Sequence, residues 1–140
     1  MKNKPTLIDG DFFEDTRGRI DFVNDFDLSE IKRMYFTTNK EVNVFRGWQG
    51  HRIESRWFFC AIGKFEVQLI KIEDIDDVSG TLVKEKYILE AKTPQVLFIP
   101  SGYFNGFSSL EEGSKLMIMS NFKLGENPND EVRLDNNKLI

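Results

Sequence analysis

Between Phe45 and Gly63 the chain gathers its sole His (His51), its sole Cys (Cys60), both Trp (Trp48, Trp57) and three Arg (Arg46, Arg52, Arg56). An imidazole near its intrinsic pKa moves protons at neutral pH. Guanidinium groups make paired hydrogen bonds to phosphate or carboxylate oxygens. Together these side chains suit a polar or anionic ligand on which a proton is moved. Side chains two apart on a strand share a face. Extended backbone therefore puts Trp48, Gly50 and Arg52 on one face and Gly47, Gln49, His51 and Ile53 on the other. A solvated, charged edge strand is the competing reading of the same residues.

The elements that must position these groups read as strands. Thr6 to Phe13 is extended with a turn at Asp9-Gly10, and Asp15-Thr16-Arg17-Gly18 turns a hairpin into Arg19 to Phe26. Met34 to Thr38 is aromatic and β-branched, as strands are. Trp57 to Gly63 is an apolar run closed by a glycine turn, and Phe65 to Ile72 alternates strictly. Val83 to Leu89, Gln95 to Ile99, Tyr103 to Ser108 and Lys115 to Phe122 complete the set. Glu73 to Gly80 is an acidic loop, and Lys123 to Ile140 is a polar tail expected to form an arm or short helix. No segment keeps a 3.6-residue apolar period over three turns. Strands recurring every ~8–12 residues predict an all-β, antiparallel sandwich or small barrel.

Composition narrows the partners. The 140 residues are 40% hydrophobic and 30% charged, as in one globular domain spanning 1–140. A net charge of −4 without a basic run argues against nucleic acid. A single Cys excludes an internal disulfide, and Cys60 sits in an apolar run where a thiol is an inert hydrophobe. No signal-like or membrane-spanning stretch is visible, so a cytoplasmic location is expected. Thirteen Phe and an N-terminal strand free to add to a sheet predict a homodimer.

Three ordered motifs carry a family likeness: Asp15-Thr16-Arg17-Gly18, Arg46-Gly47-Trp48-Gln49-Gly50-His51, and Phe98-Ile99-Pro100-Ser101-Gly102-Tyr103-Phe104-Asn105-Gly106-Phe107. Across residues 8 to 136 the chain resembles the cupin superfamily of dTDP-4-dehydrorhamnose 3,5-epimerases and dTDP-sugar 3,4-ketoisomerases. That resemblance implies a cupin-type antiparallel jelly-roll barrel (double-stranded β-helix). It also implies a nucleotide-linked 4-keto-6-deoxysugar as ligand and chemistry without a cofactor. The epimerase pattern places its basic His where this chain has Gln49, a second His where it has Asn105, and a Tyr acid where it has Phe122. An amide does not accept a proton at neutral pH, so a 3,5-epimerase reaction is not expected. The ketoisomerase pattern has two His, and the second is kept as His51.

The resemblance makes His51 the catalytic group. Arg46, with Arg17 or Arg56, would hold a diphosphate, and Arg17 would reach a neighbouring subunit's site. Gln49 and Asn105 would hydrogen-bond the sugar. Tyr35 and Tyr103 carry hydroxyls able to stand in for the missing acid; packing at a barrel mouth is their other reading. Trp48 and Phe104 could stack on a base or sugar. Glu54 and Asp135 are candidates to orient the imidazole. With one His, a metal site is not expected. The function expected is isomerisation or epimerisation of a dTDP-type keto-sugar for surface-glycan sugars, by proton transfer alpha to the ketone. The alternative is an inactive relative that binds a sugar nucleotide or carbohydrate.

Overall fold

Lys64–Lys71 shows why the chain is built from strands: Phe65, Val67 and Leu69 are fully buried, while Lys64, Glu66 and Gln68 between them are half-buried. Alternation of this kind fits a sheet with one face on a core and fits no helix. The computed structural model describes residues 3–74 and 84–134. Its strands are β1 (Thr6–Asp9), β2 (Asp11–Asp15), β3 (Gly18–Phe22), β4 (Arg33–Thr38), β5 (Phe45–His51) and β6 (Arg56–Ile62), followed by β7 (Lys64–Lys71), β8 (Glu85–Glu90), β9 (Gln95–Ile99), β10 (Tyr103–Ser109), β11 (Lys115–Ser120) and β12 (Glu131–Arg133). Among the described residues the only helical turn is a 3₁₀ turn at Ile72–Asp74. No helix among them is long and apolar enough to cross a membrane.

Two antiparallel five-stranded sheets face each other, ordered β1-β9-β6-β11-β4 and β12-β5-β10-β7-β8, and β2-β3 form a separate hairpin. This is the cupin-type jelly roll expected from the sequence. The core between the sheets takes Phe58, Cys60, Leu97 and Leu116 from the first, and Phe65, Val67, Leu69, Leu89 and Phe107 from the second. Each such side chain stabilises the fold by roughly 1.5–3 kcal/mol through burial. The tight β6–β7 reversal depends on Gly63, whose φ is +79° and whose added Cβ would lie 2.0 Å from Ser114 Oγ. Burial pushes the Cys60 thiol up to about 11, consistent with an inert core residue.

Two features depart from the sequence reading. The described part of the polar tail, up to residue 134, forms neither helix nor free arm: β12 pairs antiparallel with β5, setting Glu131 opposite His51 and Arg133 opposite Gln49. The β5–β10 register also slips between Asn105 and Phe107, so that Asn105 pairs with Gln49 but Phe107 pairs with Arg46. This bulge moves Arg46 off the Trp48 face and onto the face of Gln49.

Candidate active site

The inner faces of β4, β5, β6, β10 and β11 enclose a cavity of about 70 Å³ lined by Tyr35, Thr37, Arg46, Gln49, Arg56, Phe58, Asn105, Phe107 and Ile118. Five residues singled out in the sequence therefore converge: Tyr35, Arg46, Gln49, Arg56 and Asn105. Across the edges of the two sheets, Arg46 Nη1 donates to Thr37 Oγ1 at 2.8 Å. β12 covers only the Gln49–His51 half of β5, so the Arg46 half is itself a sheet edge and forms part of the cavity rim.

His51 follows Gln49 on the same face of β5 and is buried. Its Nδ1 lies 3.1 Å from Asp130 Oδ2. An ionised carboxylate only accepts hydrogen bonds, so Nδ1 carries the proton and Nε2 presents its lone pair. That Nε2 is buried and has no hydrogen-bond partner among the described residues. Asp130 is fixed in turn by the backbone N–H groups of Ile53 and Glu54, and its carbonyl accepts from Arg52 N–H at 3.4 Å. Burial, followed by the Arg56 charge, holds the His51 pKa below its ordinary 6.5 against the opposing pull of Asp130 and Glu54. The imidazole is thus neutral near pH 7, oriented, and free to accept a proton.

Beside it stands a second buried network. Arg56 Nη1 donates to Glu54 Oε1 at 2.8 Å and to Ser120 Oγ at 2.8 Å. Ser120 Oγ donates on to Glu54 Oε1 at 3.2 Å, and Asn127 Nδ2 donates to Glu54 Oε2 at 3.1 Å. Burial pushes the Glu54 carboxyl up, but hydrogen bonds from Arg56, Asn127 and Ser120 outweigh it and hold the carboxyl below 4.5. Glu54 therefore anchors Arg56, and the orienting of His51 falls to Asp130. Asp135 lies outside the described residues.

His51, Glu54 and Asp130 can bring one donor atom each within 4.8 Å of one another. Their oxygens are already used by Arg56, Ser120, Asn127, the His51 ring and two backbone N–H groups. The Arg56 guanidinium supplies the positive charge between them. The donor set does not fit a divalent cation, which needs carboxylate oxygens free to coordinate.

The remaining sequence candidates lie elsewhere. Trp48 faces away from the cavity and packs with Ile70, Ile72 and Phe104, against Phe45, Val132 and Leu134. At 2% exposure neither Trp48 nor the equally buried Phe104 offers a ring face for stacking. Tyr103 pairs opposite His51 but is buried in the main core; it also borders an open hollow of about 580 Å³ with Arg52 and Lys71. Arg17 stands on the β2–β3 turn, 84% exposed and ion-paired with Asp15 at 2.6 Å. Within one chain it is not part of the site. Phe122 lies past the end of β11, its N–H donating to Ser120 Oγ.

Sequence reasoning missed Thr37, Asp130 and Glu131. Thr37 falls in a recognised strand, and Tyr35 two residues away marks its face. The other two fall in a tail without apolar periodicity, where only the Asn127-Pro128-Asn129-Asp130 turn gives a foothold.

A jelly roll holding an oriented, uncharged histidine among arginines and amides has the form of a small-molecule proton-transfer site. Residues 3–133 match the family model described as WxcM-like, C-terminal (FdtA), and the chain belongs to that family. No curated protein matches it in sequence. Among solved structures it is similar to a 3,4-ketoisomerase from Thermoanaerobacterium thermosaccharolyticum, a double variant in complex with TDP, at 21% identity, covering 96% of this chain and 89% of that one with a TM-score of 0.72. It is also similar to a 3,4-ketoisomerase from Helicobacter canadensis (20% identity, 96% and 94% covered, TM-score 0.70). A dTDP-4-dehydrorhamnose 3,5-epimerase from Bacillus anthracis, with TDP and PPi bound, matches at 15% identity, 97% and 83% covered, TM-score 0.76. At these identities the likeness establishes the fold.

Proposed function

We propose that this protein isomerises a nucleotide-linked 4-keto-6-deoxysugar by moving a proton between the ketone's neighbouring carbon and the carbonyl carbon. The observation that carries this reading is His51: Nδ1 tied to Asp130, Nε2 buried and unpartnered, on the strand face whose Gln49, two residues back, lines the cavity. In the reaction Nε2 takes the proton alpha to the ketone and an enediolate forms. The Arg56 charge stabilises the developing oxyanion. Gln49 and Asn105 hold sugar hydroxyls, and Arg46 grips a diphosphate at the rim. The cavity is far below the roughly 300–1,000 Å³ of ordinary ligand pockets. It takes the reacting part of the sugar once Arg46 and Thr37 part, and the nucleotide lies outside it. The family and its neighbours support this reading. One neighbour is a ketoisomerase variant crystallised with TDP-4-keto-6-deoxyglucose. Supply of a surface-glycan sugar and cytoplasmic action belong to the same proposal.

The proposal includes a homodimer. The β2–β3 hairpin exposes Phe12 (45%), Phe13 (55%) and Ile20 (62%), and pairing would cover them and bring Arg17 to a neighbour's site. A monomer at micromolar concentration in light scattering contradicts it.

The test is solvent deuterium incorporation, by mass spectrometry, into the carbons flanking the ketone of TDP-4-keto-6-deoxyglucose. Exchange is expected and disappears in His51→Asn. Binding of TDP without exchange in the parent protein overturns the isomerase and leaves a binding protein.

A further inference from the structure

β12, at the edge of its sheet, sets a carboxylate across from His51. Glu131 is the cross-strand partner of His51, and Arg133 that of Gln49. Residues directly opposite on an antiparallel pair project to the same face. Val132, between them, goes the other way, into the cluster under Trp48. Glu131 therefore shares the cavity-side face with Gln49 and His51. The Gln49 side chain donates a hydrogen bond to its carboxylate, and Arg133 Nε is ion-paired with Glu131 Oε1. Unlike Glu54 and Asp130, whose side chains are 9% and 2% exposed, the Glu131 side chain is 44% exposed. It remains open to whatever enters. The groups facing it among the described residues are Arg133, Gln49 and His51.

Resting on the isomerase reading above, the chemistry asks for more than one proton carrier. When Nε2 of His51 removes the hydrogen from the carbon beside the ketone, the bonding pair becomes the C=C of an enediolate. For the ketone to reappear one carbon along, the hydroxyl on the deprotonated carbon must lose its proton. The former carbonyl oxygen must gain one. Of the groups on the cavity, Gln49 and Asn105 cannot carry a proton, and Arg46 and Arg56 do not release one. Tyr35 lines it too, but a neutral phenol holds its proton and cannot first take the hydroxyl's. The Glu131 carboxyl, held below 4.5, starts as a proton acceptor.

We infer that Glu131 is the second proton carrier of the site, exchanging the hydroxyl proton while His51 exchanges the carbon-bound one. The carboxylate accepts the hydroxyl proton and, as the acid, gives it to the former carbonyl oxygen. Nε2–H returns its proton to the former carbonyl carbon. One C–H and one O–H bond break, one of each forms, and no oxidant or reductant takes part. Gln49 and Arg133 hold the carboxylate in place.

The test uses the full chain with TDP-4-keto-6-deoxyglucose in D₂O, reading ring deuterium and the amount of isomer separately. Glu131→Gln is expected to bind the substrate and still wash deuterium into the carbon next to the ketone, because His51 is intact. Isomer formation falls by about 100-fold or more, the usual range for one acid–base group. Glu131→Asp restores part of it, and His51→Asn loses both signals. Isomer formation at the parent rate in Glu131→Gln overturns the inference alone. So does an equal loss of exchange and isomer in that variant, which assigns Glu131 to positioning His51. Absence of exchange and isomer in the parent protein overturns both the inference and the isomerase reading.

Discussion

His51 and Asp130, 79 positions apart in the chain, meet at 3.1 Å between Nδ1 and Oδ2, and this contact decides which imidazole nitrogen can act. Asp130→Asn removes the charge that stabilises an imidazolium and offers an amide that can donate as well as accept. Exchange into the substrate is expected to fall by about 10²-fold or more. Two backbone N–H bonds to the carboxylate weaken as well, costing about 1–3 kcal/mol in stability. Parallel exchange assays and denaturant titrations separate the two effects.

The depressed His51 pKa fixes a sign for pH dependence. Burial and Arg56 disfavour the charged ring in the folded chain, so below pH 6.5 the unfolded chain binds a proton that the native one still refuses. Stability therefore falls as pH drops from 6.5 towards the native pKa and gains nothing from this group above it. Exchange should be flat above pH 6.5, with its acid limb below that value. A limb centred above 6.5 contradicts the assignment.

Gln49→His places a ring where an amide now donates to Glu131. An imidazole with one donor and one acceptor does not reproduce both the amide's NH₂ bond and its free carbonyl. Affinity for TDP-4-keto-6-deoxyglucose should weaken by about 1–3 kcal/mol without a gain in exchange. Calorimetry beside the deuterium assay checks this, and a rise in exchange shows the pocket preformed for a base at 49.

Arg56 and Glu54 are a buried pair, with 6% and 9% side-chain exposure. Arg56→Met strands a buried carboxylate, and a loss of about 3–5 kcal/mol is expected. Adding Glu54→Gln should recover much of it without restoring activity. Urea midpoints of the two variants make the comparison.

Gly50 lies against the cluster behind the site. An added Cβ would meet Phe104 Cδ1 at 2.8 Å and Ile72 Cδ1 at 3.1 Å. Gly50→Ala must displace an aromatic ring in a close-packed cluster, costing about 1–3 kcal/mol, measurable as a lower melting temperature. An unchanged melting temperature shows the cluster to be looser than its packing implies.

The strands and the two faces of β5 are legible in the sequence because a period of two is imposed by backbone geometry. The same alternation that gathers Gln49 and His51 sends Trp48 to the opposite face, so the stacking role considered for Trp48 conflicts with the face assignment itself. Arg46 is different: counting by twos puts it with Trp48, and only the slip opposite Phe107 brings it to the cavity. A one-residue bulge leaves no mark in the hydrophobic pattern. Asp130 and Glu131 are harder still. A three-residue strand buries only part of Val132, and a polar turn gives no period to read.

The contribution of β12 has a temporal side. During synthesis the base is made 79 positions before Asp130, so the acids that orient and complement it emerge well after it. By then the strands of both sheets, up to β11, have already been made. A nascent chain stopped at Lys123 would carry the base with neither its orienting acid nor the Glu131 carboxylate. The order of synthesis thus leaves the site to be completed by β12, after the strands that carry its base have been made.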